Sequence, residues 1–403
     1  MSKNIYLKNC ISPSYFNKKN YSKDKIKTSK IINDIFTSLD IKKDAFHSLS
    51  KKFKFNFKNS QLIKFNKYKF ITLIGMGGST LGSEALYSFF ENKVKKKFLF
   101  LNNLNELKIE QIKKKLNSKN TLFIIVSKSG STLETLINSN LLKKKINYKN
   151  TIIITEQKTN LLNKFAKNKK ILHINHKNYI GGRYSVLSEV GMIPAYFMGL
   201  KIKYFRKNLL DFFKLEQKSL LINNVIKLAH IYKSRKINSI IMLNYSPEIN
   251  KFLYWCQQLI AESLGKKGNG LMPVVSPAPK DHHSLLQLYL DGPKDKLFYI
   301  FSLKSKKKIK TNKNVFGKDF SYAENKDLFK AKNAQKSALI KVFKKKNIPY
   351  QEFVINKNNE ETLGELFTYF MLETALIGKL IGINPFDQPA VEEVKIFTKK
   401  YLS

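Results

Sequence analysis

The sequence has few cysteines, and that shortage sets the first limits on what the protein can be. The two cysteines of its 403 residues, Cys10 and Cys256, cannot build a disulfide framework, which favours a reducing compartment. The N-terminus lacks an apolar signal core, and no run reaches the roughly 18 apolar residues of a membrane span. We therefore expect a cytoplasmic protein with no membrane partner.

Acidic residues and arginine are also scarce. The chain has 29 Asp and Glu against 74 Lys and Arg, a formal net charge of +45, yet arginine stands only at positions 183, 206 and 235. Proteins that recognise nucleic acids usually employ arginine, whose planar guanidinium contacts bases and phosphates with two hydrogen bonds. The excess of lysine therefore indicates a compositional bias, and we expect no specific nucleic-acid partner.

What the sequence does contain is enough apolar material for large cores. Hydrophobic residues make up 43% of the chain, with 30 phenylalanines, which excludes a disordered protein. The length predicts two domains. Apolar strands alternate with helices in two blocks, so we expect α/β architecture with parallel sheets. The expected divisions are a helical segment 1–65, a first domain 66–205, a second domain 206–385 and a C-terminal helix 386–403.

The strand and helix positions follow from this alternation. Strands are expected in the first block at Ile71–Ile74, Phe98–Leu101, Leu122–Val126, Ile152–Ile154 and Ile171–Ile174, and in the second at 240–245, 274–275, 297–303 and 351–355. Helices are expected at Ile26–Leu39, Val186–Met198, Ile249–Leu264 and Glu361–Ile381, with a last helix starting near Pro389.

Two hydroxyl-rich loops carry the first functional signal. Residues 75–82 read GMGGSTLG and residues 127–135 read SKSGSTLET; each follows a strand and leads into a helix. Free amides, hydroxyls and the positive end of a helix favour an anion such as phosphate. The first loop is neither a dinucleotide fingerprint nor a Walker loop, because Thr80 replaces a required glycine and no Gly-Lys-Ser/Thr follows. Capping of the helices by these hydroxyls is the alternative.

A carboxylate downstream could serve as a general base. Gln258 and Glu262 are four residues apart on one expected helix, so their side chains share a face. Partial burial would raise the pKa of such a carboxylate toward that of an effective base. The alternative is a helix-surface ion pair between Glu262 and Lys266, which are also four apart.

Three further segments could contribute charge or proton transfer. His282 and His283 stand in a loop broken by prolines, where a histidine can act as a proton shuttle or simply be exposed. Arg183 follows two glycines, and an arginine in a chain this rich in lysine suggests a task for a fixed planar cation. Gln388 and Lys395 are seven apart, which predicts one helix face.

In order along residues 70–400, these segments resemble the glucose-6-phosphate isomerase (phosphoglucose isomerase) family, in its shorter bacterial form. The similar segments are GMGGSTLG, SKSGSTLET, GGRYSVLSEVG, QQLIAESLGKKGNG, DHHSLLQLYLDGP and NPFDQPAVEEVK. The resemblance implies two three-layer αβα domains of the SIS (sugar isomerase) type with parallel sheets. It also implies isomerisation of D-glucose 6-phosphate and D-fructose 6-phosphate through a cis-enediolate.

The resemblance also implies a role for each matched residue. Glu262 would be the base, Arg183 would stabilise the enediolate, and His283 with Lys395 would open the sugar ring. The substrate-binding residues would be Ser79, Ser127, Lys128, Ser129, Thr132, Gln258 and Gln388. The histidine would come from a second subunit, so a homodimer with shared active sites is expected. No metal and no organic cofactor is expected.

Alternatives remain open at this point. The fold could serve a noncatalytic sugar-phosphate sensor, which would need the phosphate loops only and not the full set Glu262, Arg183, His283 and Lys395. An isomerase could also act on mannose 6-phosphate. Many relatives have glutamine where His282 stands, so His282 could assist His283.

Overall fold

The computed structural model describes residues 4–15, 18–41, 44–304, 309–313 and 315–403. Across these residues there are ten strands: β1 (Ile5–Cys10), β2 (Phe70–Ile74), β3 (Lys97–Leu101), β4 (Thr121–Val126), β5 (Thr151–Thr155), β6 (Leu172–Asn175), β7 (Ser239–Asn244), β8 (Met272–Pro277), β9 (Lys296–Leu303) and β10 (Tyr350–Ile355). The same residues form fourteen α-helices: α1 (Lys18–Ser38), α2 (Asn59–Leu62), α3 (Leu81–Phe90), α4 (Glu106–Lys115), α5 (Leu133–Leu141), α6 (Leu161–Asn168), α7 (Glu189–Phe197), α8 (Ile202–Phe205), α9 (Leu215–Ser234), α10 (Asn250–Leu264), α11 (Leu286–Asp291), α12 (Leu328–Lys345), α13 (Glu360–Leu380) and α14 (Glu392–Leu402).

The first sheet is wholly parallel, as predicted, with strand order β3-β2-β4-β5-β6. Its central strand β4 is buried at every position, because helices cover both faces. All five strands of this sheet lie within two residues of their expected positions. Strands β2 and β4 are neighbours, so the two hydroxyl-rich loops emerge side by side at the carboxyl edge of the sheet.

The second sheet has the order β8-β7-β9-β10-β1. Strands β7 to β10 are parallel, but β1 pairs antiparallel with β10, from Ile5 opposite Ile355 to Cys10 opposite Tyr350. The N-terminal segment does contain the expected helix, α1, but it begins with this unpredicted strand. The sequence did not predict this strand because only Ile5 is fully buried. Lys8 and Asn9 are polar, and Tyr6 is exposed.

Helices α13 and α9 pack against each other in the second domain, and helix α10 joins that domain to the first. Helix α13 is buried along most of its length, as its apolar sequence predicts, whereas α9 was not predicted. Helix α10 packs against both α13 and α3, so an element of the second domain lies against the helix that follows the first loop. Among the described residues, no helix has the length and hydrophobicity needed to cross a membrane.

The structure corrects two expectations about helix boundaries. Residues expected to form one helix from Val186 are divided between a 3₁₀ segment, Gly182–Leu187, and α7. Gln388 lies before a 3₁₀ turn that starts at Pro389, and α14 begins only at Glu392. Gln388 and Lys395 therefore do not share one α-helical face.

Candidate active site

The second hydroxyl-rich loop folds on itself through its own side chains. The Ser127 and Thr132 hydroxyls lie 2.8 Å apart, and Ser127 Oγ accepts a hydrogen bond of 3.1 Å from the Gly130 amide. Ser129 Oγ accepts a hydrogen bond from the Ser131 amide. The sequence therefore supplies a compact turn whose hydroxyls and amides face one another just before the first turn of α5.

Gly130 is required at the tip of this loop. Its φ of +68° lies in the left-handed region, and a Cβ there would stand 2.0 Å from Asn160 Oδ1. Asn160 also caps α6 by accepting a hydrogen bond from Asn163. The neighbouring loop, through Asn160, therefore sets the shape of the second hydroxyl-rich loop.

Lys128 brings a cation to the same edge of the sheet. Burial lowers the pKa of its ammonium group, and the Glu156 carboxylate, 3.8 Å away, acts in the opposite direction. Glu156 is held more closely by Lys158, at 2.7 Å. Lys128 therefore brings an ammonium group to the loop, and its ion pair with Glu156 is longer than the one that Lys158 makes.

Arg183 is buried, and all five of its N–H donors have partners. Nε donates to Ser263 Oγ at 2.8 Å, and Nη2 donates to the carbonyls of Pro385 and Asp387 at 2.8 and 2.9 Å. Nη1 donates to Glu262 Oε2 at 3.1 Å and to Gln388 Oε1. The planar cation predicted from the sequence thus links the first domain, helix α10 and the C-terminal loop.

Glu262 lies near the C-terminal end of α10 with its side chain 31% exposed. Gln258 Nε2 donates to Glu262 Oε1 at 2.9 Å, so the shared helix face is confirmed. The alternative ion pair with Lys266 is wrong, because Lys266 Nζ instead contacts Asp387 Oδ1 at 2.7 Å. Glu262 is therefore held by an amide and a guanidinium while keeping access to solvent.

The first hydroxyl-rich loop touches this cluster directly. A Cβ on Gly78 would stand 2.3 Å from the carbonyl carbon of Gly182, and one on Gly77 would stand 2.7 Å from Gln258 Nε2. Only glycine permits such close backbone approach. Ser79, half-buried at the end of this turn, therefore lies on a loop that abuts both the arginine segment and α10.

A cleft of about 690 Å³ opens beside these groups, lined by Glu262, Gln388, Ile383 and residues 265–269 and 389–391, among others. This volume is in the range of small-molecule sites. Glu262 and Gln388 are the predicted site residues on its wall. The cleft is therefore the natural place for the reacting end of a small substrate.

Two predicted catalytic residues lie apart from this cluster. His283 is exposed and, within the described part of the chain, makes no hydrogen bond to Glu262, Arg183 or Gln388. Its neighbour His282 bonds to the Tyr245 hydroxyl at 2.8 Å. Lys395 is exposed on α14 and contacts Glu392 at 2.6 Å.

Sequence reasoning missed several groups that hold the site together. These are Ser263, the Tyr184 hydroxyl, the Pro385 carbonyl and the Lys266–Asp387 pair. Lys266 was considered only as a partner of Glu262, and backbone carbonyls leave no signal in a sequence. In the described ranges, no three His, Cys, Asp or Glu side chains are grouped so that they could hold a metal ion.

Comparison with known proteins gives one consistent family. A model of the family "Phosphoglucose isomerase" matches residues 33–403, including part of the N-terminal segment that carried no motif. The glucose-6-phosphate isomerase of Methanocaldococcus jannaschii is 32% identical over 360 residues, which are 82% of this chain and 83% of the relative. That of Campylobacter jejuni is 30% identical over 390 residues, which are 92% of this chain and 94% of the relative.

Solved structures agree on the fold. The crystal structure of a glucose-6-phosphate isomerase from Chlamydia trachomatis matches with a TM-score of 0.80 at 16% identity, covering 100% of this chain and 89% of its own. A hypothetical protein from Thermus thermophilus matches with a TM-score of 0.82 at 24% identity, covering 99% of this chain and all of its own. On the family match and the curated relatives, the chain belongs to the phosphoglucose isomerase family.

Proposed function

We propose how this chain performs its family's reaction, the reversible isomerisation of D-glucose 6-phosphate and D-fructose 6-phosphate in glycolysis and gluconeogenesis. The observation that carries the proposal is the contact between two clusters. The loop bearing Ser79 abuts both the segment bearing Arg183 and helix α10 at Gln258, and Arg183 and Gln258 each hydrogen-bond Glu262. The substrate would span this junction, with its phosphate on the first domain and its reacting carbons at the second.

The phosphate end is assigned to the hydroxyl-rich loops. Ser79, Ser127, Ser129 and Thr132 supply hydroxyls, and Lys128 supplies charge, at the carboxyl edge of β2 and β4. Binding energy at this non-reacting end would hold C1 and C2 in place for proton transfer.

Glu262 is assigned as the base. It would remove the C2 proton of the open-chain aldose and return it to C1. In the same conversion O2 loses its hydroxyl proton and O1 gains one, so that the C1 carbonyl becomes the C2 carbonyl through the enediolate. The Gln258 amide and the Arg183 guanidinium orient its two oxygens. A base that is already held in one rotamer loses less conformational entropy on reaching the geometry for proton transfer.

Arg183 is assigned to the charge that develops on the enediolate. Its buried guanidinium is fixed before the substrate arrives, so it need not reorganise during reaction. Because every donor is occupied, an enediolate oxygen would take over a donor that now serves another acceptor. Gln388 Oε1, a neutral amide oxygen at the cleft wall, is the acceptor most easily replaced.

Ring opening is assigned to His283 with Lys395, and their exposure favours sites shared between two copies of the chain. His283 is free to enter the cleft of a partner. Helix α14 has no buried residue and exposes Val394, Ile396 and Phe397, which supports cover by a second subunit. We propose a homodimer, and a cytoplasmic location consistent with glycolysis and with two free cysteines.

The test uses a coupled assay with fructose 6-phosphate. Wild type should turn over, and Glu262→Gln and His283→Ala homodimers should each lose at least about 10²-fold in kcat.

If sites are shared, refolding an equal mixture of the two variants creates heterodimers with one intact site, and about a quarter of wild-type activity should return. No recovery, with dimers formed, would refute the shared site; no wild-type turnover would refute the assigned reaction.

A further inference from the structure

Two cationic side chains, those of Arg183 and Lys266, hydrogen-bond the loop of residues 384–388. Arg183 Nη2 donates to the carbonyls of Pro385 and Asp387. Lys266 Nζ donates to the Asn384 carbonyl at 2.6 Å and to Asp387 Oδ1 at 2.7 Å. The loop that ends in Gln388 is thus fixed by one cation from each domain.

Lys266 is one of several lysines, among the described residues, whose side chains are mostly buried. Its side chain is only 11% exposed, although the chain is rich in solvated lysines. An ammonium group loses hydration when it is buried, so it must gain comparable contacts from the loop. It lies just beyond α10, four residues after Glu262, so a single helix end carries both the base and this contact.

The partner Asp387 is organised to receive this cation. Asn384 Nδ2 donates to Asp387 Oδ2 at 3.0 Å, leaving Oδ1 to Lys266. The Lys266 ammonium, more than any other group, lowers the pKa of the Asp387 carboxyl. Asp387 therefore stays ionised, and the contact persists across the neutral pH range.

We propose that Lys266 is a positioning residue for the isomerase reaction. By fixing residues 384–388 it keeps Gln388 at the wall of the cleft beside Arg183, where an enediolate oxygen can replace it, and sets where α14, with Lys395, leaves the cleft. The inference rests on the roles proposed for Glu262, Arg183 and Gln388. Lys266 itself touches neither Glu262 nor Gln388 through any hydrogen bond within the described part of the chain.

A division between kcat and KM follows from where the contacts lie. The hydroxyl-rich loops belong to the first domain and make no hydrogen bond to Lys266 among the described residues, so phosphate binding should survive its loss. The reacting end should be placed less well, and misplacement by about 1 Å can cost about 10²-fold in rate. Substitution of Lys266 should therefore lower kcat far more than it raises KM.

The variant to measure is Lys266→Met, with Lys345→Met as its matched control. Lys345, in the last turn of α12, is another lysine of the second domain; it is exposed, forms no ion pair within the described ranges and does not line the cleft. We expect Lys266→Met to lose about 10- to 100-fold in kcat with KM within about threefold of wild type. Lys345→Met should stay near wild type, and Lys266→Arg should recover much of the loss.

A double-mutant cycle separates positioning from general destabilisation. Asp387→Asn should lower kcat in the same way, and Lys266→Met/Asp387→Asn should be no slower than the worse single variant. Inhibition by inorganic phosphate, measured on each variant, reports whether the first domain is intact. Equal kcat in Lys266→Met and Lys345→Met, or independent losses in the cycle, would overturn the proposal. Wild type and Glu262→Gln are run beside them, so failure of the assigned reaction is recognised separately.

Discussion

The two sheets share one strand order but use it differently. Numbered from β2 in the first sheet and from β7 in the second, the first four strands run 2-1-3-4 in both, the order of a doubly wound sheet. In the first sheet the fifth position is filled by β6, parallel and next along the chain. In the second it is filled by β1, which comes from the N-terminus and runs antiparallel.

The difference extends to where each domain places its polar groups. The first domain uses the loops after β2 and β4, where hydroxyls and amides meet at the sheet edge. The second domain contributes the end of helix α10 and the loop after α13. On the proposed roles, one architecture supplies both an anion-binding edge and a wall for proton transfer, and the position of the side chains decides which is used.

The largest effect is expected where the two domains meet. Arg183→Lys keeps the charge but loses the planar five-donor fork, so the contacts to Ser263, Pro385 and Asp387 cannot all survive. We expect kcat to fall at least about 10²-fold. Steady-state kinetics in the coupled assay measures this.

Arg206→Lys is the control for burial of an arginine as such. Arg206 is also largely buried and donates to the carbonyls of Ser48 and Ser50, and burial lowers its pKa to about 10. Its substitution should reduce stability while leaving kcat per folded molecule unchanged. If both variants lost kcat equally, the special place of Arg183 between the domains would be contradicted.

The second effect concerns the buried glutamates, which have different partners in the two domains. Buried Glu84 and Glu189 of the first domain pair with Lys251 and Lys177. Glu373 of the second domain has no cationic partner among the described residues. It is bonded instead by the Tyr369 hydroxyl and the Asn224 amide.

Burial raises the pKa of Glu373 from 4.5 to about 7. The folded state therefore holds this proton more tightly than the unfolded state, and its contribution to stability is complete below about pH 4.5 and lost as pH rises to about 7. We expect about 3 kcal/mol of unfolding free energy to be lost in that window. Urea unfolding at pH 5 and pH 7.5 should show that loss in wild type and a much smaller one in Glu373→Gln; equal pH dependence in both would exclude Glu373 as the cause.

The smallest effect is expected in the second hydroxyl-rich loop, residues 127–135. Ser127→Ala removes the hydroxyl that bonds Thr132 and the Gly130 amide. A hydrogen bond to a charged ligand contributes about 1.5–3 kcal/mol, so KM should rise about 10-fold or more with little change in kcat. The matched control is half-buried Ser118, outside the loop, where Ser118→Ala should change neither constant; a fall in kcat alone for Ser127→Ala would remove the distinction between the domains.

Strong local patterns made most of the fold predictable. Continuous apolar runs such as β4, and the 21-residue helix α13, are buried on all sides, so their sequences leave little choice. Strand β1 escaped prediction because its partner, β10, lies about 345 residues away and only one of its residues is fully buried. Pairing of this kind is a tertiary property.

The site was predictable in its residue types and less so in its connections. Glu262 and Gln258 follow from helix spacing, and Arg183 stood out as one of three arginines. The contacts to the Pro385 and Asp387 carbonyls come from backbone geometry that no motif encodes. Lys266 could not be distinguished from many other lysines, because only burial separates it from them.

Deuterium incorporation at C2 of glucose 6-phosphate tests the central claim most directly. With substrate saturating in D₂O, proton NMR follows exchange at C2 in wild type, Ser127→Ala and Glu262→Gln. The assigned base predicts exchange in wild type and, at saturation, in Ser127→Ala, while Glu262→Gln binds substrate but exchanges at least about 10²-fold more slowly. Exchange at the wild-type rate in Glu262→Gln would contradict the assignment of the chemistry to the second domain.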